Sequence, residues 1–271
     1  MIVYPNAKIN LGLNITSCRT DGYHDIETIF HPIALCDMLE LVFPESTDAE
    51  YTWSSSGDAL DVDAEHNICI RALRLLRQQF TLPTVGIHLH KKIPSGAGLG
   101  GGSADAAFVI KHLNDLLQLG MSDDEMRKIA ARIGADCAFF IGNKPMYATG
   151  TGDILSPVTL SLKGKYIAII KPDIHISTAE AYAGVTPHKS TEDLREIVKM
   201  PIEKWRFHLK NDFEPTIFAK YPTIKAIKDY LYELGALYAS MSGSGSAVYG
   251  IFDRPTECSY NGCFCSVSEL A

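Results

Sequence analysis

The sequence predicts an α+β fold built from two domains. Apolar residues alternate in a strand-like manner in both halves of the chain, and capped segments with helical periodicity stand between these strands. The two kinds of element do not follow a strict βαβ order, which favours α+β over α/β. A length of 271 residues fits two modest domains. We therefore predict a first domain over residues 1–155 and a second over residues 156–271.

The first half opens with a strand over residues 7–16. Apolar residues alternate there with polar ones such as Lys8 and Asn10, and this period of two predicts one buried face and one polar face. The other elements expected here are strands at residues 26–35, 38–43 and 85–89, a polar surface excursion at 44–65, a helix capped by Asn67, and a helix that begins with the capping box Ser122-x-x-Glu125.

The second half begins after a hairpin-like connection over residues 146–158. A buried strand is expected at residues 166–170, followed by a helix that Ser177 caps together with Glu180. Two or three further helices are expected before Gly235. Two strands, at residues 237–238 and 247–252, complete the pattern.

Composition and charge weigh against several classes of function. The net charge of −7 weighs against a nucleic-acid-binding protein, which usually presents a basic face. The sequence contains no run of about 18 apolar residues, so it predicts no membrane span. The first residues lack the order of charged, apolar and small residues typical of a signal peptide. We therefore expect a cytoplasmic protein. Seven scattered cysteines indicate free thiols in a reducing compartment. The three cysteines near the end lack the spacing of a zinc site, so we interpret them as the end of a strand with small buried thiols.

A glycine-rich segment over residues 94–107 carries the strongest chemical signal. It follows a predicted strand and enters a predicted helix, so its glycines let backbone N–H groups approach an anion at the positive end of that helix. A plain glycine turn and a dinucleotide fingerprint are the alternatives, but the fingerprint belongs at the first strand of a βαβ unit. The residues predicted to bind the phosphates of ATP are Pro94, Ser95, Gly96, Ala97, Gly98, Leu99, Gly100, Gly101, Gly102, Ser103 and Ala104.

Three segments, in order and spacing, resemble the GHMP kinases: residues 5–11 (PNAKINL), 94–107 and 241–247 (MSGSGSA). Further segments resemble one branch of that family, which phosphorylates an alcohol joined to cytidine diphosphate on the methylerythritol phosphate route to isoprenoids. These are residues 19–24 (RTDGYH), Glu27-Thr28, 100–105 (GGGSAD) and 134–136 (GAD). Ala138 departs from the proline that is common at its position in the family, and Ser246-Ala247 stands where Gly-Ala is commoner.

The resemblance implies a fold, cofactors and a catalytic pair. A first domain similar to domain 2 of ribosomal protein S5 would join a ferredoxin-like second domain, with ATP and Mg²⁺ as cofactors. Lys8 and Asp136 would be catalytic: an aspartate can accept the hydroxyl proton, and a nearby lysine favours the ionised carboxylate. Without the resemblance, a solvated strand lysine is the better interpretation of Lys8 and a helix cap that of Asp136, because polar residues are mostly exposed.

The resemblance also implies a pocket for the cytidine substrate. Its candidates are Asn10, Tyr23, His24, Thr178 and Tyr182, although Tyr182 alone could be an ordinary aromatic residue on a helix face.

Mg²⁺ is expected to arrive bound to the phosphate oxygens of ATP and to take few ligands from the protein. Ser103 is the nearest hydroxyl suited to act as such a ligand. His88 and His90 could form a metal pair, but an exposed strand face is the better interpretation because no third ligand is visible. Asp212 is interpreted as a structural cap.

Two other functions stay open. The chain could be a GHMP-type kinase for a plain alcohol, or a non-catalytic nucleotide sensor on the same fold. Tyr23-His24 argues against the first, and the presence of both Lys8 and Asp136 argues against the second. The expected partner is a small molecule, with no nucleic acid and no membrane, and the protein is expected to be a monomer or a homodimer.

Overall fold

A computed structural model describes residues 1–44, 49–58 and 66–270. The chain forms two compact units, each assembled from separate segments. The first unit comprises Met1–Ala7, Leu35–Ser95 and Gly100–Asn143, and the second comprises Lys8–Ala34, Gly96–Leu99 and Lys144–Ala271. The division after residue 155 stays a prediction.

Helices and strands alternate irregularly along the chain. The strands are β1 (Ile2–Val3), β2 (Asn6–Cys18), β3 (His24–Cys36), β4 (Met38–Val42), β5 (Tyr51–Gly57), β6 (Val85–Lys91), β7 (Met146–Thr149), β8 (Ile154–Pro157), β9 (Tyr166–Lys171), β10 (Tyr238–Met241), β11 (Val248–Phe252) and β12 (Phe264–Glu269). The helices are α1 (Ile68–Arg77), α2 (Gly101–Leu116), α3 (Asp123–Ala131), α4 (Cys137–Gly142), α5 (Thr178–Ala183), α6 (Leu194–Ile197), α7 (Ile202–His208), α8 (Glu214–Lys220) and α9 (Pro222–Glu233). This mixture confirms the α+β class.

The first unit contains a sheet in the order β1-β4-β6-β5 and the helices α1 to α4. Asn67 caps α1 as predicted, because its side-chain oxygen accepts a hydrogen bond from the Cys69 N–H at 2.9 Å. The capping box of Ser122 and Glu125 at the start of α3 is also confirmed.

The prediction of a surface excursion over residues 44–65 is wrong for its central part. Strand β5 lies there and pairs in parallel with β6. The sequence of β5 lacks the apolar alternation that predicts a strand, because most of its residues are exposed and polar. Ser54 of β5 hydrogen-bonds to His88 of the neighbouring strand. Residues 45–48 and 59–65 of this prediction lie outside the described residues.

The second unit contains most of a sheet in the order β2-β3-β7-β8. The antiparallel pair β7–β8 confirms the predicted hairpin. The prediction that β2 has a solvent face is wrong, because its polar residues are buried as well: Lys8 and Asn10 each expose only 3% of their surface. Buried polar side chains need partners, and the partners described below explain how this strand tolerates burial on both sides.

The second unit also contains an antiparallel sheet in the order β10-β11-β9-β12, with helices α5 to α9 in the same unit. Ser177 caps α5 by accepting a hydrogen bond from the Glu180 N–H at 3.1 Å. Four helices rather than two or three follow α5, because α6, α7 and α8 are too short to give a clear period. Strand β12 confirms the interpretation of the tail as a strand, but its nearby thiols are half-buried. Across the ranges that the structure describes, no helix is long and apolar enough to cross a membrane.

Candidate active site

The glycine-rich segment links β6 to α2 and adopts the backbone that its glycines predict. Gly96, Gly98 and Gly100 have φ values of +62°, +73° and +71°, in the left-handed region that favours glycine. Gly100 is the N-cap of α2 and has no side chain to bond the free N–H groups of the first turn. A long helix that begins in this way offers its N–H groups and its positive dipole end to an anion. All eleven residues predicted to bind ATP lie on this segment.

The middle of the segment packs against the loop between β10 and β11. The Ser242 hydroxyl donates to the Gly98 carbonyl oxygen at 2.9 Å, and the Ala247 N–H donates to the Ala97 carbonyl oxygen at 3.2 Å. A methyl group added to Gly98 would lie 1.9 Å from the Ser242 carbonyl oxygen. No single sequence motif indicates this contact of Ser242, although residues 241–247 resemble a motif of the GHMP kinases.

A buried ionic cluster lies beneath the first turns of α2. The Lys91 ammonium bonds both to Asp37 and, at 3.0 Å, to Asp105 of α2. Asp37 also accepts hydrogen bonds from the N–H groups of Lys92 and Ile93 at 2.6 and 2.8 Å. Burial raises the pKa of Asp105 well above its ordinary value. The cluster links α2 to the end of β6. Asp105 belongs to a motif noted in the sequence, but no motif indicated its partners Lys91 and Asp37.

Asp136 lies half-exposed in the first unit, at the N-terminus of the short helix α4. Its side chain makes no capping hydrogen bond, so the alternative interpretation as a helix cap lacks its defining contact. The neighbouring Cys137 is buried, which raises the pKa of its thiol to about 11, while a hydrogen bond with Ser103 acts in the opposite direction. The Ser103 oxygen is a hard donor of the kind that Mg²⁺ accepts.

Lys8 and Asn10 meet inside the second unit. The Lys8 ammonium donates to the Asn10 side-chain oxygen at 2.7 Å and lies 5.0 Å from the centroid of the Phe30 ring. A cation this close to a ring face is attracted to it. Lys8 is therefore buried between a hydrogen-bond acceptor and an aromatic ring, and the alternative of a solvated strand lysine is wrong.

The aromatic candidates for the substrate pocket also lie in the second unit. His24 stacks on Tyr182 with ring centroids 4.5 Å apart, and Tyr182 meets Phe213 edge-on at 4.9 Å. Tyr23 is 66% exposed, and Thr178 is exposed at the start of α5. The structure thus brings His24 and Tyr182 together, with the ring of Tyr23 open to solvent.

The remaining polar candidates have local partners. His88 and His90 hydrogen-bond to the serines of β5, as expected of a strand face. Asp212 accepts a hydrogen bond from the Ile15 N–H at 2.7 Å, within strand β2, so its contact is with a strand and not with the start of a helix. Within the described ranges, no three His, Cys, Asp or Glu residues are grouped as a metal would require.

Comparison with known proteins places these features in a family. The model of the GHMP kinases N terminal domain matches residues 67–144, and that of the GHMP kinases C terminal matches residues 192–257. The chain belongs to the GHMP kinases, which makes it a phosphotransferase of the α+β fold predicted above.

Within that family, two relatives similar over nearly the whole chain carry the name 4-diphosphocytidyl-2-C-methyl-D-erythritol kinase. The protein of that name from Bacteroides fragilis is 48% identical over 273 residues, with 100% of both chains covered. The protein of that name from Parabacteroides distasonis is 52% identical, with 94% of this chain and 93% of the relative covered.

A solved structure gives the same result. The crystal structure of 4-(cytidine 5'-diphospho)-2C-methyl-D-erythritol kinase superposes with a TM-score of 0.80 at 30% identity and covers 93% of this chain and 90% of its own. The predicted resemblance to this branch of the GHMP kinases is confirmed.

Proposed function

We propose that this chain transfers the γ-phosphate of ATP to the 2-hydroxyl of 4-diphosphocytidyl-2-C-methyl-D-erythritol, on the methylerythritol phosphate route to isoprenoids. The observation that carries this proposal is the full-length identity of 48% to a kinase named for that substrate. The motifs that distinguish this branch of the family lie inside the matched length.

The phosphates of ATP bind at the glycine-rich segment and the first turn of α2. Three glycines with positive φ values leave the backbone there without side chains, and the helix end supplies N–H donors. Ser103 is the hydroxyl of this segment that would hold Mg²⁺ brought in with ATP, and the ion would supply positive charge to the transferring phosphoryl group.

Chemistry requires a proton acceptor and a positive charge near the acceptor hydroxyl. In the proposed mechanism, Asp136 takes the hydroxyl proton, the oxygen forms a bond to the γ-phosphorus, and the bond to the bridging oxygen breaks so that ADP leaves with the electron pair. Lys8 stabilises the attacking oxygen. Its ammonium is fixed by Asn10 and Phe30, so it needs little reorganisation during the reaction.

The cytosine of the substrate binds at the aromatic residues of the second unit. The stacked pair of His24 and Tyr182 offers a ring face for base stacking, and Asn10, Tyr23 and Thr178 complete the proposed pocket. We further propose that the protein works in the cytoplasm, as a monomer or homodimer and without nucleic acid, which its seven free thiols and negative charge support.

A kinase for a plain alcohol and a nucleotide sensor are the competing functions. ADP release is measured with the cytidine substrate, mevalonate and homoserine in parallel, with Asp136→Asn as the inactive control. We expect turnover with the cytidine substrate alone and competition by CDP, which carries the base without the erythritol. Turnover with mevalonate or homoserine instead would favour the plain-alcohol kinase, and ATP binding without turnover on any acceptor would favour the sensor.

A further inference from the structure

A buried chain of hydrogen bonds runs from Lys8 to the backbone of its own strand. Lys8 donates to the Asn10 side-chain oxygen at 2.7 Å, and the Asn10 side-chain nitrogen donates to the Thr28 hydroxyl at 3.0 Å. The Thr28 hydroxyl in turn donates to the Gly12 carbonyl oxygen at 2.5 Å. Thr28 lies on the neighbouring strand β3 and is fully buried.

The chemistry of these groups fixes which atom donates and which accepts in each of the three hydrogen bonds. A carbonyl oxygen can only accept, so the single proton of the Thr28 hydroxyl must point to Gly12. The hydroxyl is then left as an acceptor toward Asn10, and only the amide nitrogen of Asn10 can supply a proton to it. The amide oxygen of Asn10 must therefore face Lys8, whose ammonium can only donate.

The backbone of Asn10 is fixed independently of its side chain. The hydroxyl of Tyr249, on β11, donates to the Asn10 carbonyl oxygen at 2.7 Å. Because Tyr249 is fully buried, this contact holds the strand at the residue that bonds Lys8. Thr28 thus sets the orientation of the amide, while Tyr249 sets the position of the main chain.

We infer that Thr28 is a positioning residue for phosphoryl transfer: its hydroxyl orients the Asn10 amide so that the amide oxygen aims the Lys8 ammonium. The inference rests on the proposed function, in which Lys8 acts on the acceptor oxygen. A small misplacement of such a group costs rate rather than nucleotide affinity, because positioning matters most in the transition state.

The test replaces Thr28 by valine, which keeps the shape of the side chain and removes only its hydroxyl. We expect kcat to fall roughly ten- to a hundredfold while the KM for ATP stays within about threefold of wild type. Thr28→Ser restores the hydroxyl and is expected to recover kcat to within about threefold of wild type. A purely structural role would lower stability without separating kcat from KM in this way.

Thr84→Val is the matched control. The Thr84 hydroxyl also donates to a backbone carbonyl oxygen, that of Ala49 at 2.8 Å, but Thr84 is only half-buried and lies in the first unit. Its kcat should equal that of the wild type. A folded Thr28→Val variant with wild-type kcat would overturn the inference, as would a Thr28→Ser variant as slow as Thr28→Val.

A second measurement does not depend on kinase activity. Exchange of the Asn10 side-chain amide protons, followed by NMR, should be slow in the wild type and in Thr28→Ser and fast in Thr28→Val. Equal exchange rates in wild type and Thr28→Val would contradict the orienting role of Thr28. A wild-type protein that phosphorylates no acceptor would refute the proposed function while leaving this measurement to decide the role of Thr28.

Discussion

Replacing Gly98 by alanine should disturb both the fold and the anion site. Its φ of +73° costs an L-residue roughly 1–2 kcal/mol. The added methyl group would also lie 1.9 Å from the Ser242 carbonyl oxygen, a backbone atom that cannot turn aside. Relief of such an overlap costs about 1–3 kcal/mol more. The free energy of unfolding should therefore fall by about 2–5 kcal/mol, which leaves a typical domain folded but weakened.

Gly164→Ala provides a control with the same backbone strain and no steric overlap. Gly164 has a φ of +80° and nothing within 4 Å of an added methyl group, and it lies in the second unit together with Gly98. Its substitution should cost only the conformational part, about 1–2 kcal/mol. Denaturant unfolding measures both variants, and calorimetry measures ATP affinity, which should fall more than about tenfold in Gly98→Ala and stay unchanged in Gly164→Ala.

Equal losses of stability in the two variants would contradict this prediction, because they would show that the contact of Gly98 with Ser242 exerts no steric constraint. A Gly98→Ala variant that is strongly destabilised but binds ATP normally would separate the packing of the segment from its role in binding phosphate.

Three further predictions concern chemistry, pH and substrate binding. Asp136→Asn should lower kcat by roughly a hundredfold or more with little change in ATP affinity, as steady-state kinetics and calorimetry would show. Burial lowers the pKa of His31 to about 4 from an ordinary 6.5. Between these two pH values the unfolded chain binds more protons than the folded chain, so the free energy of unfolding falls as pH falls, by about 3 kcal/mol over the whole range. His31→Gln should remove this part of the acid sensitivity in denaturant unfolding at a series of pH values. Tyr182→Ala removes the ring stacked on His24 and should weaken the cytidine substrate roughly ten- to a hundredfold while ATP affinity stays unchanged in a binding titration.

Each of these predictions has an outcome that contradicts it. Near-normal turnover in Asp136→Asn would remove that residue from catalysis. An unchanged slope of stability against pH in His31→Gln would mean that other groups cause the acid sensitivity, and the exposed His90→Gln serves as its control. Unchanged substrate affinity in Tyr182→Ala would remove the ring from the pocket, and Tyr221→Ala, on an aromatic residue outside the proposed pocket, is the comparison.

Local signals in the sequence predicted much of the fold. Asn67 and Ser122 marked helix starts because a capping side chain satisfies backbone groups only a few residues away. The hairpin of β7 and β8 and the buried strand β9 followed from short-range patterns of the same kind. The glycines of residues 94–107 predicted a backbone with positive φ values, which three of them adopt.

Contacts between distant residues could not be predicted in this way. The polar residues of β2 suggested a solvent face, yet Asn10 finds a partner 18 residues away in Thr28 and Lys8 lies over Phe30. Ser242 bonds Gly98 across 144 positions. A polar residue in a strand pattern predicts exposure unless a hydrogen-bond partner allows its burial. For these residues the partner is brought close only by the tertiary fold, so the local sequence does not reveal it.

The proposed reaction of this chain is the phosphorylation of a cytidine-linked alcohol by ATP. Phosphorus NMR can follow it in a mixture of the protein, ATP, Mg²⁺ and 4-diphosphocytidyl-2-C-methyl-D-erythritol. We predict a new phosphomonoester signal on the erythritol, an equal amount of ADP and an intact cytidine diphosphate link. Unchanged ATP, or ADP formed together with free phosphate and an unmodified acceptor, would contradict the claim.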